Sequence, residues 1–230
     1  MSVFRRRPAL LTAFLLGAAT TILVGGIVAR IPRAHSHERD ASRSAASRLQ
    51  VLKPFLRERA VAAELGVLKG ELSRQFVSQL KPTRLHLVDP WYLQGAEWPW
   101  EKGDRSTVHA LAGILQSLQA ELTSGQVVLN IDYDQSFLAT LPDGYLDWAY
   151  LDTTHEFAQT QLELKLLQQK VKASGVIAGD DWQPDPAHPH HGVYKAVHEV
   201  IAQGRYRILY ASAQDLQWVI ARTERAAAAP

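Results

Sequence analysis

Two hydrophobic periods alternate along this chain. The stretch Arg59–Leu65 (RAVAAEL) is a short apolar run closed by Gly66, which predicts a buried strand. Residues 71–80 (ELSRQFVSQL) place apolar side chains at 72, 76, 77 and 80, the stripe of an amphipathic helix. Residues 84–89 (RLHLVD) alternate and predict a second strand. A long helix is expected over 106–122, and strands over 126–131 and 146–152. Residues 156–173 read as a helix with apolar positions at 157, 162, 164, 166, 167 and 171. A strand over 175–179 and a helix over 192–203 follow. Two last strands, 206–211 and 216–222, are separated by a short polar turn and predict a terminal hairpin. Strands alternating with helices imply an α/β fold, with a mainly parallel sheet covered on both faces. An antiparallel hairpin at the end of such a sheet is a common variation.

The pattern ahead of Leu49 is different. Residues 9–29 (ALLTAFLLGAATTILVGGIVA) carry no charge, with Arg5, Arg6 and Arg7 before them and Arg30 and Arg33 after. A helix needs about 20 apolar residues to cross the hydrocarbon core. The apolar part of a cleaved signal is shorter, about 7–15 residues. The expectation is one transmembrane helix within an anchor over 1–30. Residues 31–47 are rich in Arg, Ser and Ala and read as a basic tether, flexible or laid against anionic lipid. The folded domain is expected over 48–225, with a short disordered tail at 226–230. Five Arg follow the apolar run and three precede it, which places the domain on the cytoplasmic side of a single-pass anchor.

Charge changes the picture of partners. Residues 1–48 hold eight Arg against Glu38 and Asp40, while the remainder carries a small acidic excess. The basic pI therefore belongs to the N-terminal arm, and the body is a poor surface for nucleic acid. The chain has no cysteine, which removes disulfides, thiolate metal sites and a cysteine nucleophile.

The first strand runs into AELGVLKGELS, with Glu64, Gly66 and Gly70 in an E-x-G-x-x-x-G pattern before a helix. Glycines there permit a tight turn and close approach of a ligand to the backbone. Asp89 ends the next strand, where an acid accepts hydrogen bonds from ribose hydroxyls in nucleotide-binding sheets. The spacing departs from G-x-G-x-x-G and suits a nucleoside without a pyrophosphate. Ordinary turn glycines, and a turn aspartate ahead of Pro90, are the plain alternatives.

The stretch 174–182, SGVIAGDDW, runs from an apolar strand into two adjacent carboxylates. Like charges side by side need a cation, a cage of hydrogen bonds, or solvent. Together, VAAELGVLKGELSRQF, LHLVDPW, LPDGYLDWAYLDTTHEF, GVIAGDDW and GVYKAVHEV resemble class I S-adenosylmethionine-dependent methyltransferases. Within that class they look like the small-molecule and sugar O-methyltransferases, including macrocin O-methyltransferase-like enzymes. The resemblance covers about residues 60–222. It implies a Rossmann-like, seven-stranded sheet in the order 3-2-1-4-5-7-6.

By this resemblance, Glu64, Gly66 and Gly70 surround the methionine part of the cofactor and Asp89 binds its ribose. Tyr133 and Asp134 fall near the adenine. Asp152, Asp180 and Asp181 match acids that bind a metal, and Asp152 and His155 are the candidate catalytic pair. Three carboxylates on one sheet edge offer oxygen ligands, which suit Mg²⁺ better than zinc. A metal there could orient a substrate hydroxyl, and His155 could take its proton. Capping roles remain open for Asp180, Asp181 and His155. The HPHHG run at 188–192 reads as a polar loop, with His191 as its one residue worth testing. Trp91, Trp98, Trp100 and Trp182 could stack on an acceptor or pack beneath loops.

Three departures from the family pattern stand out: Thr153 and Thr154 after Asp152, Phe157 in place of a Tyr, and KASG at 172–175. They weaken the acceptor side more than the cofactor side. The expected activity is methyl transfer from S-adenosylmethionine to a hydroxyl of a small molecule or glycoside. The rivals are a methyltransferase-like domain that binds without turnover and a nicotinamide-dependent oxidoreductase. A homo-oligomer is left open.

Overall fold

The computed structural model describes residues 45–93 and 105–223. The predicted anchor at 1–30, most of the tether, Trp98, Trp100 and the predicted tail at 226–230 lie outside the described residues. Among the described residues, no helix is long and apolar enough to cross a membrane.

The elements run α1 (Ala45–Leu52), β1 (Val61–Leu65), α2 (Glu71–Leu80), β2 (Arg84–Val88), α3 (Arg105–Ser117), α4 (Gln119–Ser124) and β3 (Val127–Asn130). They continue with α5 (Asp134–Thr140), β4 (Leu146–Leu151), α6 (Phe157–Lys170), β5 (Val171–Gly179), α7 (His191–Ala202), β6 (Tyr206–Ala211) and β7 (Trp218–Arg222). The seven strands form one sheet in the order β3-β2-β1-β4-β5-β7-β6, as expected. The β3-β2-β1-β4-β5 block is parallel, and β7 joins β5 and β6 antiparallel.

Side chains alternate across each strand. In β4, Trp148 and Tyr150 face one core with α1, α2 and α3, while Ala149 and Leu151 face a second core with α5, α6 and α7. Both faces of β4 are therefore buried, which explains its unbroken apolar run. By the same parity, the next even position, Asp152, belongs on the α1 side.

Several boundaries differ from the sequence reading. The helix expected over 156–173 ends at Lys170, and the chain passes straight into β5. Val171 pairs with Leu146, and the register slips before Val176 meets Trp148, so KASG is a bulged strand start. The long helix over 106–122 is two helices broken at Leu118. Residues 45–47, assigned to the tether, form the first turn of α1. Helix α5 was not foreseen.

Candidate active site

The carboxyl ends of β1, β2, β4 and β5 meet along one edge of the sheet, where open α/β sheets bind ligands. On the β1–β2 side the chain turns through Gly66 (φ 80°) and Gly70 (φ 67°), both in the left-handed region. A Cβ on Gly66 would stand 1.8 Å from the carbonyl oxygen of Asp152, so only glycine allows β1 to leave the sheet beside β4. Asp89 is buried and braces this turn. Its Oδ2 accepts from the N–H groups of Val67 and Leu68, both at 2.9 Å, and its Oδ1 from Trp91 N–H at 2.8 Å. The Trp91 indole is fully buried and donates to Leu68 O at 2.9 Å. Trp91 is thus a packing residue. Burial raises the Asp89 carboxyl above its usual range, against the pull of those three N–H groups.

Glu64, also buried, accepts from Ser73 Oγ at 2.6 Å. Burial pushes its carboxyl up to about 8, although Ser73 and then Arg48 favour its charge. Tyr133 stands half exposed at the end of β3. Asp134 turns into a buried acid pair. Gln159 Nε2 donates to Asp134 Oδ2 at 3.2 Å and to Glu163 Oε1 at 2.8 Å. Burial first, and then the Asp134 carboxyl, push Glu163 well above the ordinary carboxylate range.

On the β4–β5 side the acids do converge. Oxygens of Asp152, Asp180 and Asp181 lie within 4.8 Å of one another. Their charge is met by side chains. Arg48 of α1 reaches Asp152 Oδ2 at 2.6 Å and Asp180 Oδ2 at 2.9 Å with one nitrogen, and it also bonds the Tyr150 hydroxyl. His155 Nε2 sits 3.1 Å from Asp152 Oδ1 and 2.9 Å from Asp181 Oδ2. His190 Nδ1 lies 3.1 Å from Asp181 Oδ1, within ion-pair distance but off the line of a hydrogen bond. Neither Arg48 nor His190 was singled out from the sequence. His191, the histidine preferred there, instead faces Gln183 O at 2.9 Å.

These contacts set the protonation states. Burial opposes the charge on His155, but its bonds to Asp152 and Asp181 outweigh burial and push the imidazole up to about 10. Asp181 is held far below the usual carboxylate range despite burial, by His155 and then His190. Asp152 is also lowered, because Arg48 and then His155 outweigh burial. Asp180 goes the other way, up to about 7, through burial and the neighbouring Asp152. His155 (φ 62°) and Asp181 (φ 59°) both hold left-handed backbone, a strain that packing must sustain.

The oxygen donors suit a hard cation. Yet Arg48 already bridges two of the three carboxylates, so the residues as placed do not fit Mg²⁺ and a guanidinium together. A separate groove of about 1860 Å³, lined in part by Gln161, Gln168, Ser174, Arg205 and Tyr206, opens by the amino end of β5. It is remote from this edge.

The comparisons with known proteins agree with the fold. The family described as "Methyltransferase domain" matches residues 63–182, just over half of the chain. No curated protein matches the sequence. Among solved structures, a Clostridium thermocellum protein assigned as an rRNA methylase has a TM-score of 0.55 at 13% identity, covering 79% of this chain and 97% of its own. A Staphylococcus aureus protein assigned as a caffeoyl-CoA O-methyltransferase has a TM-score of 0.55 at 12% identity, covering 78% and 82%. A Streptococcus mutans methyltransferase solved in complex with SAH has a TM-score of 0.50 at 14% identity, covering 77% and 96%. From the matched domain and the shared sheet order, this chain belongs to the methyltransferase domain family, of the class I, S-adenosylmethionine-dependent fold.

Proposed function

We propose that this domain transfers a methyl group from S-adenosylmethionine to a hydroxyl of a small molecule, with a glycoside or lipid-linked sugar as the favoured class. The observation that carries the reading is the edge itself. The braced glycine turn and the Asp152–Asp180–Asp181 cluster lie side by side, with Gly66 packed against the Asp152 carbonyl. The turn and Asp89 would hold the methionine and ribose parts of the cofactor. Glu64 would meet the cofactor's ammonium group, a charge that would offset its burial.

The acceptor oxygen would approach the methyl carbon from the β4–β5 side. The O–C bond forms as the C–S bond breaks, and that electron pair stays on sulfur. The hydroxyl proton must go to a nearby base. His155 is paired with two carboxylates and stays protonated at neutral pH, so we assign the proton to Asp180, whose carboxyl sits near 7. His155 then supplies a positive charge close to the developing oxyanion. Asp152 orients both His155 and Arg48. Most of the rate enhancement comes from positioning and from charges fixed in advance.

One observation favours a second reading, a methyltransferase fold that binds without turnover. Both Asp89 oxygens already serve backbone N–H groups. The test is isothermal titration of the detergent-solubilised full chain with S-adenosylmethionine and separately with NADH. A transfer assay with methyl-labelled cofactor and a panel of hydroxyl acceptors follows. Micromolar binding of S-adenosylmethionine, and labelled product lost in Asp180→Asn, are expected. A folded chain that binds neither cofactor would sink the reading. The apolar segment 9–29 would anchor the domain to the cytoplasmic face of a membrane. Recovery of the full chain in the soluble fraction of a lysate would overturn that.

A further inference from the structure

Asp152 and Asp180 end adjacent parallel strands, and each points an Oδ2 at the same place. That place is filled by one nitrogen of Arg48, 2.6 Å from one oxygen and 2.9 Å from the other. A divalent ion bridging the same oxygens at about 2.1 Å would lie in the gap that the nitrogen takes. Guanidinium and metal cannot share it.

Arg48 is not a surface side chain that happens to reach inward. Its helix is seated by Leu49 and Leu52, both fully buried, against α2. The guanidinium carbon lies 5.5 Å from the centroid of the Tyr150 ring, within cation–π range. The Tyr150 hydroxyl donates to Gln217 Oε1 at 2.8 Å, and Gln217 Nε2 donates to Asp180 Oδ1. Arg48, Tyr150, Gln217 and Asp180 therefore close a ring of contacts, with Tyr150 and Gln217 fully buried. The third acid, Asp181, is engaged from the other side by His155 and His190. Each carboxylate has a side-chain partner that can carry positive charge.

We propose that Arg48 is the resident cation of this site: its guanidinium occupies the position between Asp152 and Asp180 that a divalent metal would need, so the wild-type chain does not bind Mg²⁺ there. An arginine keeps its charge at any working pH and holds the two carboxylates in register, but it is no Lewis acid. Arg48 is thus a positioning residue for Asp152 and Asp180. The inference concerns cation occupancy and is independent of methyl transfer, so a chain without turnover could still bear it out.

The test is Mg²⁺ titration by calorimetry on the full chain, stripped with chelator and held in detergent. Wild type is expected to show no saturable Mg²⁺ binding below about 10 mM. Arg48→Ala, folded by circular dichroism, is expected to bind at least tenfold more tightly, and adding Asp180→Asn should abolish that gain. Arg48→Lys keeps a cation and should stay without Mg²⁺ binding, so that the gain in Arg48→Ala is tied to the lost charge; saturable Mg²⁺ binding by Arg48→Lys would count against the proposal. One Mg²⁺ bound per wild-type chain and lost in Asp180→Asn would overturn the proposal. So would a folded Arg48→Ala that gains nothing. Should Arg48→Ala fail to fold, the neutral and longer Arg48→Met takes its place: it is expected to gain Mg²⁺ binding, and a folded Arg48→Met that gains nothing would overturn the proposal.

Discussion

At the β1–β2 side of the site most contacts run to the backbone; at the β4–β5 side they run between side chains. Asp89 gathers three N–H groups from residues within 22 positions of it, and Gly66 rests on the main chain of Asp152. Asp152, by contrast, meets a side chain from 104 positions earlier. A surface built from main chain depends on glycines and turns and tolerates little change in shape. A surface built from paired charges keeps its shape only while the charges balance.

That contrast predicts the largest effect at Gly66. An Ala there places Cβ 1.8 Å from Asp152 O on left-handed backbone. The cost should be at least about 4 kcal/mol, enough to remove most of the stability of a typical domain. Gly144 also has positive φ (64°), but a Cβ there meets nothing within 4 Å. Gly144→Ala should cost only about 1 kcal/mol of backbone strain. Chemical denaturation of both variants separates close approach from φ alone. Equal losses would mean that the contact with β4 does not matter.

Next in size is Arg48→Ala, which leaves two carboxylates facing each other. Breaking a largely buried ion pair by removing one partner costs about 3 kcal/mol or more. Asp89→Ala on the other side should cost less, about 2 kcal/mol. It leaves N–H groups without an acceptor but also removes a poorly solvated carboxyl. Denaturant melts of the two variants test whether the charged side is the more fragile. Asp89→Ala should also abolish cofactor binding, whereas Arg48→Ala should spare it.

The same contrast explains what could be read from the sequence. The individual strands, the glycine turn and the position of Asp89 rest on signals within a few residues of one another, whereas the strand order came with the family resemblance. Apolar runs, Gly66 and Gly70, and an acid after a strand all report local backbone needs. That Asp152 and Asp180 share an edge also follows once β4 and β5 are placed as parallel neighbours. Arg48 could not be read that way. It follows Arg43 in the polar stretch SRSAASRLQ, where its charge looks like that of a tether. Only the spacing of Leu49, Leu52 and Leu56 hints that α1 packs inward. The choice of His191 over His190 failed for a similar reason. Their neighbours in sequence are alike, and only the start of α7 decides which ring faces Asp181. The end of α6 was overrun because Val171 fits the helical stripe as well as it fits a strand.

The last prediction distinguishes the two sides by pH. Glu64, on the glycine side, has its carboxyl pushed from 4.5 up to about 8. Between those values the folded chain holds a proton that the unfolded chain has lost, so stability must fall as pH rises through that window. His155, on the charged side, is pushed from 6.5 up to about 10. Its contribution is complete below 6.5 and is lost as pH rises towards 10. Asp180, on the charged side and pushed up to about 7, adds to the lower window, so only the upper window belongs to one side alone. Thermal melts of wild type from pH 5 to 10 should fall by several degrees across the two windows. Glu64→Gln should flatten the lower part of that curve and His155→Gln the upper part. A Glu64→Gln curve with the wild-type slope between pH 5 and 8 would show that Glu64 is ionised in the folded chain, with Arg48 and Ser73 outweighing its burial.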